Sequence, residues 1–144
     1  MFVQVGSGEL VMFFRTSLGW VFQSRSADKG RTWGVFEPLP LPNPDSKIHA
    51  LGLPNSKRIL LAFNDHAKFI HERAVKTRTH LKVAVTDDEG ASWRRALTVV
   101  DRVSPGWRYS YPTMLVHGCT LLVRTRLLSV PLSPTRVRSH FVRP

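Results

Sequence analysis

The chain has 144 residues, enough for one domain with a real core, and carries 21 Lys and Arg against 10 Asp and Glu. Its single cysteine, Cys119, excludes an internal disulfide framework. The net charge of +11 invites a nucleic-acid partner, but its distribution argues against one: residues 1–101 hold 14 basic and all 10 acidic side chains, while the tail from Cys119 has only Phe141 to interleave with its arginines.

In chain order, Phe2-Val3-Gln4-Val5, a Gly6-Ser7-Gly8 turn and Leu10-Val11-Met12-Phe13-Phe14 predict a strand, a tight turn and a second strand. Residues 1–6 lack the charged n-region and apolar core of a signal peptide, and no apolar run reaches the ~18–20 residues of a membrane span. The compartment is therefore not assigned. Val21-Phe22-Gln23-Ser24 leads into Ser26-Ala27-Asp28-Lys29-Gly30-Arg31-Thr32-Trp33. This stretch predicts a hairpin turn. Gly30 supplies positive φ, Asp28 and the hydroxyls of Ser26 and Thr32 accept loop hydrogen bonds, and Trp33 re-enters as an apolar anchor.

Alternate prolines at 38, 40, 42 and 44 cannot donate to a central ladder, so residues 37–44 are expected to be an extended connection between repeats. His49-Ala50-Leu51-Gly52-Leu53, a Pro54-Asn55-Ser56 turn and Ile59-Leu60-Leu61-Ala62-Phe63 repeat the first strand pair. Leu81-Lys82-Val83-Ala84-Val85 then introduces a second box, Thr86-Asp87-Asp88-Glu89-Gly90-Ala91-Ser92-Trp93, in which Thr86, Asp88, Gly90, Ser92 and Trp93 match the first. Phe14 and Phe63 lie 49 residues apart but Trp33 and Trp93 lie 60 apart, which places an insertion near 66–79, expected to be a loop. A third copy starts at Ser110-Tyr111-Pro112-Thr113-Met114-Leu115-Val116, turns at His117-Gly118 and continues through Leu121-Leu122-Val123. No third box follows. Residues 119–144 therefore read as a basic, poorly patterned tail behind a region of repeats at 1–118, mobile from about 125 onward.

The pattern hydroxyl-x-Asp-x-Gly-x-hydroxyl-Trp resembles the Asp-box, or BNR repeat, of sialidases and related β-propellers. Phe13-Phe14-Arg15-Thr16-Ser17, Leu41-Pro42-Asn43-Pro44-Asp45-Ser46-Lys47-Ile48, Leu60-Leu61-Ala62-Phe63-Asn64-Asp65 and Tyr109-Ser110-Tyr111-Pro112 resemble further signatures of that group, over about residues 2–118. The resemblance implies an all-β fold: a partial β-propeller, about two and a half blades of a six-bladed sialidase-like fold. Propellers close on four to eight blades, so a chain of this kind is expected to be a fragment whose further blades lie elsewhere in a longer protein.

It also implies chemistry. In sialidases arginines grip the substrate carboxylate, a tyrosine attacks the anomeric carbon, and an Asp serves as acid/base. Arg15 takes the carboxylate-clamp role, Asn64 is a substrate-binding candidate, Asp65 the acid/base, and Tyr109 and Tyr111 compete for the nucleophile. The bland readings stand beside these: a solvated strand-end arginine, a turn aspartate, packing tyrosines. Alternation along a strand would put both tyrosines on one face, so position does not choose between them. Only Arg15 sits in a recognisable arginine motif, and Arg108 stands where relatives carry a Glu. The function implied is a sialidase-like glycoside hydrolase acting on terminal acidic sugars of glycans. The alternative is a non-catalytic propeller segment that binds glycan or protein. No cofactor or metal is expected, since the six histidines lack ligand spacing with Cys or acidic partners.

Overall fold

The structure, a computed structural model, describes residues 1–66, 69–70, 73–74, 78–101 and 107–129. All regular elements among these residues are β-strands. β1 (Phe2–Gln4), β2 (Leu10–Arg15), β3 (Trp20–Ser26) and β4 (Glu37–Pro42) pair in chain order as one antiparallel sheet. β5 (His49–Gly52) and β6 (Ile59–Asn64) begin a second, which β9 (Leu81–Thr86) and β10 (Arg94–Val100) complete. β11 (Trp107–His117) and β12 (Thr120–Ser129) form a third, two-stranded sheet. The first strands of the three sheets are neighbours, with β5 in contact with both β1 and β11. Sheets fanned about adjacent first strands are the blades of a propeller. The fold is thus all-β and a partial propeller.

Each blade hides one face against the next. Val3, Val11, Phe13 and Val21 alternate with more exposed residues and meet Leu61, Phe63 and Ala84 of the second blade. Ala62 and Val83 point the other way, onto Met114 and Val123 of the third. The middle blade is therefore covered on both faces, which is why β6 reads as an apolar run from Ile59 to Phe63 and β9 from Val83 to Val85. Across the first interface Phe13 meets Trp93 edge-on, ring centres 5.7 Å apart, so the anchor of the second Asp-box packs on the core of the first blade.

Both boxes are closed by local hydrogen bonds. Asp28 accepts from Ser26 Oγ, Thr32 N and Thr32 Oγ1, and Asp88 from Thr86 Oγ1, Ser92 N and Ser92 Oγ. Gly30 (φ 86°) and Gly90 (φ 98°) follow Lys29 and Glu89, also left-handed, so two consecutive residues reverse the chain. Trp33 and Trp93 donate their indole N–H to the carbonyls of Gly30 and Gly90.

Three expectations need correction. Residues 37–42 are a strand, not merely a connection: β4 pairs with β3 as the edge of its sheet. Every second N–H of an edge strand points away from its neighbour, so prolines at alternate positions cost no ladder bond and blunt the edge. Leu39 and Leu41, between them, are buried. Secondly, the insertion near 66–79 is not all loop, because β7 (Phe69–Ile70) and β8 (Arg73–Ala74) pair as a small hairpin. Thirdly, order does not end near 125. β12 runs to Ser129 in register with β11, and Val123, Thr125 and Leu127 alternate into the interior. Residues 130–144, the rest of the expected tail, lie outside the described residues.

Candidate functional site

Antiparallel meanders sort the connections between two ends of the fan. The turns at 5–9, 53–58 and 118–119 share one end with both Asp-boxes. Met1, the segments 16–19 and 43–48, and residues 65–66, 78–80, 101 and 107 share the other. Arg15, Asn64, Asp65, Tyr109 and Tyr111 all lie on strands or strand ends near this second end, remote from the boxes.

The structure separates the two tyrosines. The β11–β12 ladder is irregular between Ser110 and Thr113, and Tyr111 adopts φ 57°, a left-handed conformation uncommon for an aromatic residue. A bulge re-aims the side chain it carries. Tyr109 stays inside, 7% exposed, against Leu81 and Leu127, whereas Tyr111 is 44% exposed. Lys47 Nζ lies 6.0 Å and the Arg78 guanidinium carbon 5.7 Å from the Tyr111 ring centre. Both are cation–π distances. Lys47 also lines, with Arg15, Met1, Phe13, Phe14 and Ile48, a recess of about 340 Å³. Arg15 itself pairs at 3.7 Å with Asp45, both side chains about half exposed. Such a pair is screened and worth roughly 0–1 kcal/mol, weak enough for another carboxylate to displace.

Asn64 and Asp65 are placed differently from their expected roles. Asn64 is fully buried; its Nδ2 donates to the carbonyls of Thr79 (3.1 Å) and Tyr109 (3.0 Å), and its Oδ1 accepts from Ser46 Oγ (2.7 Å). With both N–H groups used and no surface, it has no donor for a ligand. Its side chain serves the protein interior. Asp65 faces a bidentate Arg95 fork (2.7 and 2.8 Å) and Lys82 Nζ at 3.1 Å, with its side chain 8% exposed. Burial pushes its carboxyl up, but the hydrogen bonds and charges of Arg95 and Lys82 outweigh this and hold it below the ordinary carboxylate value. An acid catalyst must keep a proton at working pH. Asp65 is held ionised instead.

Two cations escape the sequence reading. Lys47 follows Asn43-Pro44-Asp45-Ser46, in which Asn43 Oδ1 accepts from Ser46 N at 2.8 Å; that turn was the available signal. Arg78 closes the insertion before β9, where no periodicity points to it. His49 Nδ1 accepts from Met114 N at 3.3 Å, and burial first, then the Lys47 charge, lower its pKa, which keeps the ring an acceptor. Among the described residues no three His, Cys, Asp or Glu side chains gather as metal ligands. A larger recess of about 800 Å³ opens at the Asp-box end, but turn residues 6–7 and 53–57 line most of it.

The BNR repeat-like domain model matches residues 1–122. The chain belongs to the BNR repeat-like domain family. Solved structures of sialidases share this BNR fold. They include the intramolecular trans-sialidase from Ruminococcus gnavus in complex with oseltamivir carboxylate, with a TM-score of 0.63 at 16% identity, matched over 99% of this chain and 31% of that one. The leech intramolecular trans-sialidase complexed with 2,7-anhydro-Neu5Ac gives 0.66 at 15%, over 99% and 22%. The NanB sialidase from Streptococcus pneumoniae gives 0.67 at 16%, over 99% and 22%. The BNR chain thus spans between about a fifth and a third of the length of these neighbours. No curated protein matches the chain.

Proposed function

We propose that this chain contributes an acidic-sugar-binding face to a sialidase-like protein, with Arg15, Lys47 and Arg78 meeting a carboxylate and Tyr111 offering an aromatic, hydroxyl-bearing surface beside them. The observation that carries the reading is Tyr111. Its positive φ holds a half-exposed ring under two cations at the end of the fan remote from both Asp-boxes. Among the described residues neither Lys47 nor Arg78 has a carboxylate partner. The solved neighbours supply the chemical class, since one is a complex with 2,7-anhydro-Neu5Ac prepared by soaking with 3′-sialyllactose.

Hydrolysis is the second reading, with Tyr111 as nucleophile in preference to buried Tyr109. Its exposure beside the cations favours it. Arg108 in place of the expected Glu, and the ionised state of Asp65, weigh against it. Binding is the reading we favour for this chain.

Isothermal titration with 3′-sialyllactose and with neutral lactose tests it. Only the sialylated sugar is expected to bind, more weakly as salt rises. Arg15→Ala is expected to remove about 1.5–3 kcal/mol, roughly ten- to hundredfold in Kd. Equal affinity for both sugars would refute the carboxylate site. With a fluorogenic sialoside we expect no turnover; turnover lost in Tyr111→Phe would instead establish the hydrolytic reading.

A further inference from the structure

Three buried polar side chains are linked by hydrogen bonds to the segments that carry the proposed site. Asn43, Ser46 and Asn64 are each 0% exposed. Asn43 Nδ2 donates to Ser46 Oγ (3.4 Å), Ser46 Oγ donates to Asn64 Oδ1 (2.7 Å), and Asn64 Nδ2 reaches the carbonyls of Thr79 and Tyr109. At the other extreme, the backbone N–H of Asn43 donates to the carbonyl of Gly19 in the β2–β3 turn (2.8 Å). The chain of bonds therefore runs from the first blade, through the β4–β5 connection and β6, to the segment before β9 and to β11.

Lys47, Arg78 and Tyr111 each sit one or two residues from a member of this chain, and Arg15 is joined to it through its ion pair with Asp45. Lys47 follows Ser46, and Asp45, the partner of Arg15, precedes it at φ 58°. Arg78 precedes Thr79, and its carbonyl accepts from Tyr109 N. Tyr111 lies two residues beyond Tyr109, across the bulge. We infer that Asn43, Ser46 and Asn64 are positioning residues, a buried relay that fixes Lys47, Arg78 and Tyr111 relative to one another across three blades. The inference rests on the proposed sugar-binding reading for its purpose, but its geometry can be tested without a ligand. An apolar trio of similar volume would serve packing as well, whereas a satisfied polar network accepts one arrangement only. Ser46 is the joint, since removing Oγ strands Asn64 Oδ1 and Asn43 Nδ2 yet keeps the local turn made by Ser46 N.

The chain has only two tyrosines, so 3-fluorotyrosine labelling gives two ¹⁹F resonances, assigned with Tyr109→Phe. Ser46→Ala is expected to shift or broaden the Tyr111 resonance more than that of Tyr109, whose ring is packed against Leu81 and Leu127, and to weaken 3′-sialyllactose about tenfold. Ser46→Cys, of similar volume with a weak donor, is expected to do the same to a smaller extent and covers the case in which Ser46→Ala does not fold. Ser92→Ala, in the Asp-box at the far end, is the control: stability falls and neither resonance moves. A Tyr111 resonance that moves no more in either Ser46 variant than in Ser92→Ala would overturn the inference. Failure of the unsubstituted chain to bind the sugar would defeat the sugar reading alone, because the Tyr111 resonance still decides the relay.

Discussion

Asp28 and Asp88 each accept three hydrogen bonds in loops open to solvent. For Asp28 the Thr32 hydroxyl contributes most, and for Asp88 the Ser92 hydroxyl; together the donors lower each carboxyl from 3.8 to about 2. A folded-state pKa below the unfolded one adds stability above the unfolded value. That contribution is fully present above about pH 4 and is lost as pH falls through about 2. Asp88→Asn should therefore lower the Tm at pH 7, with the gap to the unsubstituted chain closing toward pH 2. Thermal melts across that range check it, and a gap independent of pH would refute it. The box residues were legible in the sequence because their chemistry is local, all within eight residues. Tyr109 and Tyr111 were not separable there: strict alternation gives them one face, and only the bulge in β11 divides them. Asn64 stood as a substrate-binding candidate by resemblance, and its interior role was not legible because its three partners come from three distant segments.

At the scale of the element, β12 is the instructive case. It lacks a following box, and its arginines hide a period-two pattern in which Val123, Thr125 and Leu127 face inward while Arg124 and Arg126 face out. Alternation with charges is what a half-buried strand requires. Leu127→Ala, emptying the cluster with Tyr109 and Leu81, should cost about 2–4 kcal/mol in denaturant unfolding. Hydrogen exchange should find the β11–β12 amides at 121–124 slow, and exchange there as fast as in an exposed turn would refute the pairing. β4 shows the converse: its prolines read as a connection because proline signals the lack of a donor, and only sheet order reveals that an edge strand tolerates that lack.

For the whole molecule, repeat spacing was enough to give blades, their order and the place of the insertion between β6 and β9. What it could not give is how blades stack, because that depends on which faces meet. Phe13→Ala removes the side chain that joins the first blade to Trp93 of the second and should cost about 3–5 kcal/mol, read as a lower denaturant midpoint. The same stacking brings Lys47, Arg78 and Tyr111 together from three separate segments, so no single stretch of sequence announces the site. The central claim is that this gathered face binds an acidic sugar, and its most direct test watches the two tyrosines while 3′-sialyllactose is titrated in. The Tyr111 ¹⁹F resonance should move saturably, that of Tyr109 should stay, and Arg15→Ala should abolish the movement at the same sugar concentration. A Tyr111 resonance unmoved by saturating sugar, or one that moves as readily in Arg15→Ala, would contradict it.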